Sequence, residues 1–187
     1  MGAPAMNALS PILILLTAFI AVFLEAAFDG SRHWLGVQID LLPSLMVYAA
    51  LSSSIVTITL LAVLGGLWFD SLSANPLGIT ILPLFLAGFL IYLRRGLILR
   101  EQIFARWVLG LAASGFVPLA TVILLLTLKE APQLGWGFAW QWLVMTASGA
   151  LLTPAGFLLF DGLDHLLVYR PVKPSTFRYD RQIRRGR

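Results

Sequence analysis

From Ile39 to Phe69 the only charged side chain is Asp40. One helix over that stretch would be about 46 Å long, half as long again as the ~30 Å hydrocarbon core of a bilayer. Pro43 near its start and Leu51-Ser52-Ser53-Ser54 near its middle predict two short helices instead, over about Leu42 to Leu51 and Ile55 to Phe69. A single, strongly tilted helix is the alternative.

Other runs have the same character. Hydrophobic residues make up 59% of the 187 and charged residues 12%, half the ~25% of a soluble domain, and mean hydropathy is +0.88. The runs are continuous Leu/Ile/Val/Ala stretches, not the alternating ~10-residue strands of an outer-membrane barrel. The expected fold is therefore an all-α membrane bundle of six transmembrane helices, or five if the central run is unbroken. The remaining helices are expected over about Leu9 to Phe28, Ile79 to Leu93, Trp107 to Leu128 and Phe138 to Phe160. Residues 1–168 would form the bundle and 169–187 a basic tail. Pro11 to Leu24 has no Lys or Arg before it, so it reads as a retained helix, not a signal peptide.

Charge orders the chain along the membrane normal. With six helices, eleven Lys or Arg (Arg94, Arg95, Arg100, Arg106 and seven in the tail) fall on one side, and Arg32 and Lys129 on the other. The positive-inside rule makes the first side cytoplasmic, with the C-terminus there. The net charge of +4 thus reads as topology signals and contact with anionic lipid, not as nucleic-acid binding. Pro83, Pro118 and Pro154 fall inside expected helices, where each frees a carbonyl. Gly110 with Ser114 and Ala62 with Gly66 are small-xxx-small pairs that allow close helix approach.

Chemistry-bearing groups are few. The chain has no cysteine, and its two histidines, His33 and His165, lie far apart. No nucleophile–base pair, phosphate loop or dinucleotide fingerprint is present, so no catalytic residue, cofactor or metal is assigned. Asp161, Asp164 and His165 share helical spacing at the end of the last helix, as a proton relay, a metal site or partners of the basic tail. Glu25 and Asp29, four apart near the outer surface, form either a cation- or partner-binding acidic patch or a pair of hydrated carboxylates. The segment from Gly65 to Gly78 carries the most shape. Gly65 and Gly66 permit close approach, Asp70 stands at a helix end, and Asn75, Pro76 and Gly78 specify a turn. Asp70 can accept N–H bonds from that turn or from the next helix start; a partner contact, and catalysis or ion transport, are the other readings.

Leu42-Pro43, Tyr48-Ala49-Ala50-Leu51 and Gly65-Gly66-Leu67-Trp68-Phe69-Asp70 through Pro76-Leu77-Gly78 together resemble the MreD family of rod shape-determining membrane proteins. The resemblance implies a non-enzymatic inner-membrane scaffold subunit of the bacterial elongation and peptidoglycan-synthesis machinery. Its implied partner is an MreC-like single-pass membrane protein, and through it MreB and the peptidoglycan synthases. It also implies a fold like the substrate-binding subunits of energy-coupling-factor transporters. The alternative function is a small-molecule-binding subunit of a transporter, with a polar cavity between helices.

Overall fold

In the computed structural model the described residues are 9–27, 36–37, 39–73, 75–96, 103–129 and 135–167, with backbone alone for 9–10 and 163–167. They form six helices and no strand: α1 Leu9–Ala27, α2 Leu42–Ser52, α3 Ile55–Leu72, α4 Ile81–Arg94, α5 Ile103–Thr127 and α6 Trp136–Leu167. The central apolar run is broken as its serines predict. Ser53 takes an extended conformation and its N–H closes α2 on the Ala49 carbonyl at 2.8 Å, while Ser54 opens α3 by accepting from the Thr57 N–H. The five-helix alternative is thereby set aside.

Among the described residues three helices, α3, α5 and α6, are long and apolar enough to cross a membrane, and the apolar parts of α1, α2 and α4 are shorter. The shortest of them, α2, lies at the centre, touching all five other helices, and every residue from Leu42 to Leu51 is buried. Eleven residues give a helix of about 16 Å, half the core thickness. Such a helix persists in lipid only when its ends are covered by protein. Tyr48 fastens it to α6, stacked on Phe160 at 4.3 Å and edge-on to Phe157 at 4.9 Å.

α5 and α6 form an antiparallel hairpin at close range. A Cβ at Gly110 would overlap Gly149 and Thr153, and one at Gly149 would overlap Ser114. The Gly110/Ser114 stripe therefore faces a second stripe, Gly149/Thr153. Pro118 and Pro154 lie inside α5 and α6. Pro83 does not interrupt α4, because it occupies the first helical turn, where the missing N–H has no intrahelical partner to lose.

The exterior is as apolar as the core, and a few polar groups are buried. Leu158 on the outside of α6 is 72% exposed and Val56 on α3 is 62% exposed, whereas Asp70 is 1% exposed and Thr153 1%. An apolar exterior on this scale is what a hydrocarbon solvent requires.

Candidate functional site

The six helices bring the notable polar groups to opposite ends. At one end lie the C-termini of α1 and α3 and the N-termini of α2 and α4. At the other lie the α2–α3 turn, the C-terminus of α4, the start of α5 and the last turns of α6.

The first end is built on Asp70. α3 runs past Phe69 to Leu72, so Asp70 sits inside its last turn, where a carboxylate opposes the helix dipole. The N-terminus of α4 offsets this. Asp70 Oδ2 accepts the N–H of Gly78 at 2.9 Å and of Thr80 at 3.0 Å, and Oδ1 accepts the Thr80 hydroxyl. Two glycines make the geometry possible. Gly66, one turn before Asp70, would place a Cβ 3.1 Å from the N and Cα of Ile81, so a side chain there would push α4 away. Gly78 has φ +88°, a conformation that L-residues with a Cβ rarely take. Asn75 donates its N–H to Ser73 Oγ at 3.3 Å, and Pro76 accepts the Ile79 N–H at 3.3 Å. Gly65 faces the Leu42 side chain. Five of the six residues thus serve one corner, and Gly65 makes room for α2.

Glu25 reaches the segment that leads into α2. Asp29 lies outside the described residues. Glu25 Oε1 accepts the N–H of Leu41, and its Oε2 is buried with no hydrogen-bond partner. Asp40, which sequence reading passed over, accepts the N–H of Leu42 at 2.9 Å through Oδ1. Two carboxylates thus cap the N-terminus of the buried helix α2, one from its own lead-in segment and one from α1. Asp-Leu-Leu-Pro was the available signal: an acid just before a proline in the first helical turn marks a helix start. Burial pushes the Asp40 carboxyl up to about 7; the Leu42 N–H opposes the shift and the nearby Asp70 charge adds to it.

Arginines shape the second end. Arg95 donates from Nη1 to the Ser53 carbonyl at 3.1 Å, and its guanidinium lies 4.1 Å from the Tyr92 ring centroid. Arg94 is exposed. Arg106 pairs with Asp161 at 3.6 Å and sits 4.4 Å from the Phe157 ring centroid. Asp161 is therefore joined to a cation on α5. The Asp164 and His165 side chains, Arg100 and the tail lie outside the described residues. Among the described residues no group of three acids or histidines is placed to hold a metal ion.

Two grooves mark the surface. One of about 320 Å3 lies between α3 and α4, lined by Thr59, Val63, Ile81, Leu82 and Phe85 among others. Another of about 470 Å3 lies between Gly36-Val37 and the start of α6, beside Phe138, Trp140 and Gln141. Neither is lined by Glu25, Asp40 or Asp70. Comparison with protein-family models, with curated proteins and with solved structures found no match.

Proposed function

We propose that this chain is a non-enzymatic integral membrane scaffold subunit of the bacterial cell-elongation and peptidoglycan-synthesis machinery. The reading comes from the resemblance of residues 42–95 to the MreD family. The observation that carries it is how Asp70 is engaged. The carboxylate most open to a catalytic or transport reading accepts three donors from the α3–α4 corner and serves to hold two helices together. What is left on the outside is a broad apolar surface suited to lipid and to other membrane helices. In this reading the partner is an MreC-like single-pass protein, with MreB and the synthases reached through it. The arginine-bearing end and the C-terminus face the cytoplasm of the inner membrane.

The second reading, a solute-binding transporter subunit, calls for convergent polar groups around a cavity. The α3–α4 groove is apolar and neither groove is lined by Glu25, Asp40 or Asp70, so this reading has the weaker support. Affinity purification of the tagged chain from its host tests the choice. Recovery of a single-pass elongation partner is expected; recovery of ATPase subunits in its place would sink the scaffold assignment.

A further inference from the structure

The α3–α4 groove is one end of a longer strip. On α4 the residues Phe85, Phe89 and Tyr92 follow one another at helical spacing, all half-buried. Phe85 stacks on Phe89 with centroids 5.6 Å apart and planes 14° apart. Arg95 closes the row over Tyr92. The opposite wall belongs to α3, where Val56, Thr59 and Val63 are exposed. Thr59 turns its hydroxyl back onto the Ile55 carbonyl at 3.0 Å, which leaves the wall apolar. The strip thus has a charged head and a hydrocarbon body.

We propose that this strip seats one anionic phospholipid, with its phosphate at Arg94 and Arg95 and an acyl chain running along Phe89 and Phe85 into the groove. Length supports that occupant. Ten residues separate Arg95 from Phe85, about 15 Å of helix, which is half the ~30 Å core and so the depth of one leaflet. Charge supports it as well. Arg95 uses one Nη1 donor on Ser53, and a guanidinium offers five donors in a fork that matches phosphate oxygens. Its stacking on Tyr92 holds that fork at the rim instead of leaving it free to sweep the interface. Exposed Arg94 adds a second positive charge beside it. A lone apolar groove would take any acyl chain; the arginines at one end select the headgroup. The proposal rests on the membrane placement of the helices and not on the elongation role, so failure to recover an elongation partner leaves it intact.

Native mass spectrometry of the full chain tests it, after reconstitution with phosphatidylglycerol and phosphatidylcholine at equal mole fraction. One phosphatidylglycerol is expected to survive delipidation in preference to phosphatidylcholine. Replacing both arginines (Arg94→Gln with Arg95→Gln) is expected to reduce that retention by about thirtyfold, from ~1 kcal/mol per surface basic residue. Filling the body of the strip at exposed positions (Thr59→Phe with Val63→Phe) is expected to lower retention with both arginines in place. Lys129→Gln, at the opposite end, is expected to leave it unchanged. Circular dichroism and elution volume show whether each variant is folded. Equal retention of the two lipids, or undiminished retention in the arginine variant, overturns the proposal. Loss in the arginine variant with full retention in the groove variant overturns the acyl seat.

Discussion

The two ends of this bundle handle charge in opposite ways. At one end Asp70, Asp40 and Glu25 are drawn inward and answered by backbone N–H groups at helix starts. At the other, Arg95 and Arg106 stay near the rim, over aromatic rings, and reach a carbonyl or a partly exposed carboxylate. A carboxylate is compact and accepts several converging N–H bonds, so a helix N-terminus is a sufficient partner. A guanidinium is larger and always charged, and its stem lets it stop at the interface. The difference teaches that Asp70 at the acidic end fastens one helix to the next, while at the basic end Arg94 and Arg95 stay exposed to what lies outside.

The largest expected effect falls on the acidic end. Asp70→Ala leaves three donors without their acceptor and should destabilise the bundle by about 3 kcal/mol or more, read by equilibrium unfolding in detergent. An unchanged unfolding curve would mean that the corner is held by packing alone. Asp40 supplies a pH test. Its folded carboxyl is raised to about 7, so its charged form opposes folding. Its contribution to stability should fall as pH rises from about 4 to about 7. Asp40→Asn keeps an oxygen for the Leu42 N–H and should make the loss of stability over that range shallower; a profile unaltered by the substitution would remove Asp40 from the account. Gly78→Ala places a Cβ at φ +88° and should lose about 1–2 kcal/mol, with a lower melting temperature as the readout. Smallest is Arg106→Gln at the basic end. Its ion pair is long and its guanidinium also lies over Phe157, so a loss of about 1 kcal/mol is expected. A loss there as large as that of Asp70→Ala would erase the contrast between the ends.

Much of the local structure was legible. Ser52 to Ser54 marked the α2–α3 break because hydroxyls offer the backbone an alternative to the helix ladder. Asn75-Pro76 and Gly78 marked a turn because their backbone preferences are local. The Asp70 bonds to that turn and to the α4 start correspond to one of the three readings its neighbourhood allowed. For Glu25, the helical distance to Asp29 gave no sign that its carboxylate takes the N–H of Leu41, sixteen residues away in sequence. The Gly149/Thr153 half of the hairpin contact was also missed, since its meaning depends on what lies opposite.

Run length, breakers and charge at the ends of runs thus determined a bundle of six helices or five, their approximate bounds and the two unlike ends. These are properties of short stretches of chain, set by backbone preference and by transfer from water to lipid. Only the tertiary structure decided that the shortest helix, α2, is the centre, and that Glu25 and Asp40 cap it. In a soluble protein an apolar stripe would have shown which face turns inward. Here lipid and core are equally apolar, so nothing in the pattern of α2 distinguished a helix facing hydrocarbon from one enclosed by five others.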